Sequence, residues 1–165
     1  MGLMLSSEEV FSLAMEIEKS GHAYYTTIAG SAALQEVSEL FTFLAEQEIA
    51  HYRYFEELKQ LAPELVVDAE EWEQASEYIR ATTESRFFVG EDRAIQLAKS
   101  AKTALEAVDY AIGFEKDTLL YFFELHNVSP PESKESAMKI VEEEKRHVRM
   151  LSRKRQELVS GQRND

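Results

Sequence analysis

Four stretches of the chain place apolar residues at alternating steps of four and three, the stride of a helix that faces a bundle core. The first reads Ser7, Phe11, Ala14, Glu18, Gly21, Tyr25, Ile28, Ala32. It predicts a helix that starts after Ser6 or Ser7, with Glu9 three residues beyond Ser6 as in a capping box, and ends near Gly30. The second, Leu34, Val37, Phe41, Leu44, Glu48, His51, Phe55, Leu58, predicts a helix from about Ala33 to Leu61, before Pro63. A third seam of Ala101, Ala104, Val108, Ala111, Glu115, Thr118, Phe122 and Leu125 predicts a helix from about Lys99 to His126. After the break NVSPPES, where Pro131 suits a first helical turn, the fourth gives Ala137, Ile140, Glu144, His147, Leu151, Lys154, Leu158. Residues 62–98 keep a weaker pattern, with a short helix expected around AEEWEQASEYIRA and a break at FFVGED. So long a connection without structure is unusual in a compact domain, so this segment is expected to be a partly helical crossover between the second and third long helices. The last residues, SGQRND, read as a frayed tail.

Each apolar stripe is broken near its middle by a carboxylate: Glu18, Glu48, Glu115 and Glu144. The second and fourth add a histidine one turn on, in EQEIAH (residues 46–51) and EEEKRH (residues 142–147). Glu18 and Glu48 are 30 residues apart and Glu115 and Glu144 are 29 apart, as expected of a duplicated helix pair.

Composition supports the helical reading. The chain has 165 residues, enough for one domain with a substantial core, and only 6 Gly and 3 Pro, too few for many short strands. The expected class is all-α, a single domain over residues 1–165 with its bundle at about 7–158. A formal charge of −13 argues against nucleic acid as a partner, because phosphate backbones would be repelled. The basic cluster Lys145, Arg146, Arg149, Arg153, Lys154 and Arg155 falls late in the last helix, where cations favour the negative end of the dipole. No apolar run reaches spanning length and the start lacks a leader pattern, so the expectation is a cytoplasmic protein with no membrane partner. Cysteine is absent, which removes thiolate zinc, iron–sulfur and thiol redox chemistry from this sequence.

Four carboxylates buried together and left charged would cost far more than ordinary folding stability. Two divalent cations would supply four positive charges, and neutral His51 and His147 each offer an imidazole nitrogen. At positions i and i+3 both side chains of a Glu-x-x-His segment face the same way, so each segment can hold one metal. A glutamate from each of two helices plus a Glu-x-x-His from each of the other two is the ligand set of di-iron and di-manganese carboxylate bundles. Glu18 and Glu115 fit the first role; Glu48 with His51, and Glu144 with His147, fit the second. A lone Glu-x-x-His is a weak signal in a chain this rich in glutamate. Its repetition on the seam, at matching places in two halves, is what points to metal. The competing reading is an acidic bundle whose glutamates lie on the solvated face and which folds normally without metal.

On Glu18 followed by Gly21 and Tyr25, on EQEIAH, on FEKDTLLYF around Glu115 and on EEEKRH, the chain resembles the rubrerythrin-like branch of the ferritin-like superfamily over about residues 7–158. The resemblance implies a ferritin-like four-helix bundle with one long crossover and a di-iron centre, with manganese or a mixed metal as the variant. Glu48 and Glu144 would bridge two iron ions and Glu18 and Glu115 would be terminal. It further implies reduction of hydrogen peroxide or dioxygen, and a homodimer. This chain departs from the pattern in three places. It has no cysteines for a rubredoxin site, so electrons must come from a separate electron-donor protein. Thr118 stands where an additional glutamate follows the one matching Glu115, which bears on iron movement during turnover. Phe122 stands where a tyrosine would match Tyr25, so one hydroxyl behind the ligands is missing. Of the other two histidines, His22 is expected to be exposed or capping, and His126 to be a helix-end cation. Tyr24, Tyr52 and Tyr54 are expected to pack. Two further functions compete with the oxidoreductase: a ferroxidase or iron-handling protein, which would retain many irons per chain, and a scaffold with a structural metal or none.

Overall fold

In a computed structural model, residues 4–5, 7–61, 67–68, 70–71, 73–74, 77, 90–128 and 131–161 are described. Two-residue strands β1 (Met4–Leu5) and β2 (Val67–Asp68) pair antiparallel, Met4 opposite Asp68, an element the sequence pattern did not predict. The rest is helical: α1 (Ser7–Ala29), a 3-10 turn (Ala32–Leu34), α2 (Gln35–Leu61), α3 (Glu91–Ser100), α4 (Ala104–Val128) and α5 (Pro131–Gly161). Residues 70, 71, 73, 74 and 77 are helical, within the stretch expected to form a short helix; the remainder of that stretch lies outside the described residues. Residues 162–165 of the expected tail also lie outside them.

α1 packs along α2 and α4 along α5, and α3 lies against α1. The two hairpins close on each other as a four-helix bundle. Phe55 of α2 stacks on Phe122 of α4 at 5.2 Å, and the Tyr24 hydroxyl of α1 donates to the Ala107 carbonyl of α4 at 2.7 Å. The seam residues Phe11, Ala14, Tyr25, Ile28, Val37, Phe41, Leu44, Val108, Ala111, Ile140 and Leu151 are buried as the stride requires. Burying a large apolar side chain contributes about 2 kcal/mol, so the seam accounts for much of the cohesion of the bundle. Ala32 is exposed, because the first helix stops at Ala29 and the Ser38 hydroxyl takes the Ala29 carbonyl at 2.8 Å.

The third seam helix begins later than its stride suggests. Lys99 and Ser100 belong to α3, Ala101 is extended (φ −67°, ψ 121°), and α4 starts at Ala104. Thr103 and Glu106 set that start. The Glu106 N–H donates to Thr103 Oγ1 at 3.1 Å, while the Lys102 N–H donates to Glu106 Oε2 at 2.8 Å. The first is the cap bond of a capping box and satisfies an N–H that a helix start leaves without a partner, while the Glu106 carboxylate reaches back one residue beyond the cap, to Lys102.

The basic cluster also departs from expectation, since the last turn of α5 holds no basic residue. Its cations make ion pairs instead: Arg155 with Asp109 at 2.6 Å, Lys145 with Glu142 at 2.6 Å and Lys154 with Glu157 at 3.5 Å. α3 is fixed through Ser20 of α1, whose hydroxyl accepts the Gly90 N–H at 3.0 Å and donates to the Glu16 carbonyl at 2.8 Å. Gly90 has φ 136°, a conformation that glycine adopts without a Cβ clash. Among the described residues no helix is long and apolar enough to cross a membrane.

Candidate metal centre

The i, i+3 and i, i+4 spacing of each seam puts its charged member on the inward face, and the helices bring those members together. Glu18 of α1, Glu48 and His51 of α2, Glu115 of α4, and Glu144 and His147 of α5 meet inside the bundle, none more than 2% exposed. Ligand atoms of Glu18, Glu48, His51 and Glu144 lie within 4.8 Å of one another, and so do those of Glu48, Glu115, Glu144 and His147. Glu48 and Glu144 belong to both sets. Glu144 turns one oxygen to each: Oε1 is 2.9 Å from His51 Nδ1, and Oε2 is 3.0 Å from His147 Nδ1. The imidazoles stack with centroids 5.6 Å apart.

The donor atoms fit a pair of cations. Both oxygens of Glu18 and of Glu48, Glu115 Oε2, Glu144 Oε1 and His51 Nδ1 are buried without a hydrogen-bond partner among the described residues. Isolated buried charges of this kind are strongly unfavourable, and coordination is the usual remedy. His51 Nδ1 is close to Glu144 Oε1 yet not aligned to donate to it. Donors bound to one ion at about 2.1 Å stand roughly 3 Å apart, and the imidazole-to-carboxylate separations in the two sets run from 2.9 to 3.9 Å. The two sets together make a buried site consistent with a dinuclear metal centre.

Without cations the site holds protons. Burial raises Glu18, and burial together with the charges of Glu18, Glu144 and Glu115 raises Glu48 well above the carboxylate range. Burial and the Glu144 charge push Glu115 up to about 8. Burial lowers the affinity of both imidazoles for a proton, but their carboxylate neighbours outweigh it. Glu144 and Glu18 bring His51 to about 12, and Glu115 and Glu144 bring His147 to about 9. Burial also opposes ionisation of Glu144, yet the bond to His147 and the neighbouring imidazole of His51 hold it well below the ordinary carboxylate value.

Four further residues sit beside these side chains. Tyr25 on α1 donates its hydroxyl to Glu115 Oε1. Thr118 is buried one turn after Glu115, and its hydroxyl has no partner among the described residues. Gly21 lets Glu48 approach α1: a Cβ there would lie 2.3 Å from Glu48 Oε2. Glu143 was not foreseen. Its Oε2 accepts a hydrogen bond from His51 Nε2 at 2.6 Å, reaching across from α5 to α2. The residue next to a ligand on its own helix faces partly outward, so the seam pattern alone gives no sign of this contact.

The remaining histidines stay outside both ligand sets. His22 donates from Nδ1 to the Ala45 carbonyl at 3.1 Å, tying α1 to α2, and His126 lies in the last turn of α4 as expected. Tyr24 is a buried packing residue, and Tyr54 packs at the edge of the core. Between α1 and α2 an open cleft of about 310 Å³ runs in from Lys19, His22, Tyr52 and Arg53 to Glu18 and Glu48.

Comparison with known proteins agrees with this geometry. A crystal structure from Thermotoga maritima, described as that of a ferritin-like diiron-carboxylate protein, superposes with a TM-score of 0.67. It covers 93% of this chain and 97% of that one at 20% identity, which establishes the ferritin-like fold. Among curated proteins none matches the sequence significantly. The family model for rubrerythrin matches residues 9–155, a span that contains all six converging ligand residues and both Glu-x-x-His segments. By that match the chain belongs to the rubrerythrin family.

Proposed function

We propose that the chain is a di-iron oxidoreductase that reduces hydrogen peroxide or dioxygen with electrons from a separate donor protein. The observation that carries this reading is the pair of buried ligand sets sharing Glu48 and Glu144. In it, Glu18, Glu48, His51 and Glu144 would hold one ion and Glu48, Glu115, Glu144 and His147 the other, with Glu48 and Glu144 shared between them. Four carboxylates and two neutral imidazoles balance two divalent ions, and oxygen and nitrogen donors suit iron or manganese. When bound, the iron pair supplies the electrons, two for each peroxide, which with two protons becomes two waters.

The chain's own residues perform the rest. The shared carboxylates of Glu48 and Glu144 would tie the two ions together, and the packed helices bury all six side chains. The Tyr25 hydroxyl holds a proton at Glu115 Oε1 and orients that carboxylate. The cleft between α1 and α2 has room for a small molecule and ends at Glu18 and Glu48. With no cysteine among these 165 residues, no thiolate iron site lies within them to feed the pair, and in this reading the electrons arrive from outside them.

Metal analysis after growth in iron-rich medium should find about two irons per chain, with an oxo-bridge absorption appearing on oxidation. The reduced protein should consume peroxide faster than the variant carrying Glu48→Ala and Glu144→Ala. Equal rates in the two would defeat the redox reading, and many irons per chain after aerobic loading would favour iron handling instead.

A further inference from the structure

We infer that the two metal positions are unequal: the one formed by Glu18 and His51 fills first and holds its ion more tightly than the one formed by Glu115 and His147. The inference rests on the dinuclear reading above and concerns what lies behind each histidine.

An imidazole that binds metal through Nδ1 must carry its proton on Nε2, and a fixed acceptor there sets the tautomer, locks the ring and makes Nδ1 a better donor. His51 has that acceptor, since Nε2 donates to Glu143 Oε2 at 2.6 Å. His147 does not. Its Nε2 is buried without a hydrogen-bond partner among the described residues. What His147 does have is a bond between Nδ1 and Glu144 Oε2 at 3.0 Å, on the nitrogen the metal needs. Metal at His51 therefore meets a ring already arranged. Metal at His147 leaves a buried N–H unsatisfied on the far side.

The difference is written in the repeat. EQEIAH and EEEKRH align residue for residue, so Gln47 occupies the place of Glu143 and the second carboxylate partner is missing. Two other differences do not reverse the order. Tyr25 donates to Glu115 while Phe122, its counterpart, has no hydroxyl to offer Glu18. A donor to a ligand oxygen orients it but also draws on its charge, so the two effects offset. Both imidazoles hold protons in the metal-free site because of the surrounding carboxylates, and the incoming ions neutralise those same groups. The nitrogen facing away from the metal is left as the deciding feature.

Anaerobic titration of the metal-free full chain with Co(II), followed by its ligand-field absorption, tests this. Two steps are expected, the first at least about tenfold tighter. Glu143→Ala should weaken the first step by about tenfold to a hundredfold and leave the second in place. Glu143→Gln, whose amide oxygen can accept the same bond, should recover part of the loss. The Glu143 side chain is 44% exposed, so these variants spare the core, and circular dichroism of each confirms its fold. His147→Ala should keep the tight step and His51→Ala should lose it. Equal steps in the unmodified chain, an unaltered first step in Glu143→Ala, or retention of the tight step by His51→Ala but not His147→Ala would overturn the inference. Absence of cobalt binding would overturn the dinuclear reading itself.

Discussion

Replacing Gly21 by alanine should separate folding from metal binding, because the one methyl group meets a residue that is free to move only while the site is empty. An ideal Cβ at Gly21 lies 2.3 Å from Glu48 Oε2, 2.9 Å from Glu48 Cδ and 2.9 Å from Phe114 Cε1. Restoring ordinary contact of roughly 3.4 Å requires the carboxylate to move by about 1 Å and the ring by about half that. In the metal-free protein the carboxylate end can rotate aside. The cost is then mild overpacking against Phe114, about 1–3 kcal/mol, set against a helix-propensity gain of about 0.8–1 kcal/mol for alanine over glycine. The metal-free variant should lose about 0–2 kcal/mol, readable as a small fall in urea midpoint. With ions bound the carboxylate has no such freedom, because Glu48 belongs to both ligand sets. Affinity for both ions should fall by at least about a hundredfold, the upper range for disturbing a ligand's support, and the stabilisation that metal confers should shrink with it. The assay is Co(II) titration beside urea unfolding with and without metal. A variant that binds two ions at native affinity, or is simply more stable by the propensity gain, would refute the placement of Glu48 against α1.

Other expectations follow from particular residues. Between pH 6 and 8 the melting temperature of the metal-free protein should fall as pH rises. The folded state keeps a proton on Glu115 up to about 8 and on His147 up to about 9, whereas the unfolded chain releases them near 4.5 and 6.5, so folded protein binds more protons throughout that window. Metal binding expels these protons, so the gain in melting temperature on adding metal should grow over the same range; a flat metal-free curve would contradict the proton-filled site. Thr103→Ala removes the acceptor of the Glu106 N–H and should cost about 1 kcal/mol in urea unfolding, while an unchanged midpoint would show that the cap does not hold the start of α4.

The seams were legible because stride is a property of sequence alone. Glu18, Glu48, Glu115 and Glu144 stood out against apolar neighbours, and each is buried where the stride puts it. Helix ends were less legible. The capping box at Thr103 and Glu106 is written in the sequence, but an unbroken alanine-rich seam through Ala101 and Ala104 masked it. Strand pairing of Met4 with Asp68 links residues that no periodicity connects. Gly21 was visible as a member of the seam, but its reason was not, since only the fold shows which side chain fills the missing Cβ.

Glu143 marks the physical boundary of what spacing can show. A ligand on the seam is constrained by its own helix, so its neighbours three and four places away predict it. A residue that supports a ligand from another helix is constrained by the crossing of two helices, and that geometry appears only once both are placed. Aligning the two Glu-x-x-His segments does show that Gln47 and Glu143 differ, but the difference acquires chemical meaning only through the 2.6 Å contact from His51 Nε2. The two Glu-x-x-His segments contribute to two ligand sets of the same kind, and the one difference of Gln47 against Glu143 beside the shared glutamates is enough to give their histidines unequal hydrogen bonding. In a symmetric bundle it is therefore the residues next to the ligands, rather than the ligands, that can order which metal comes first.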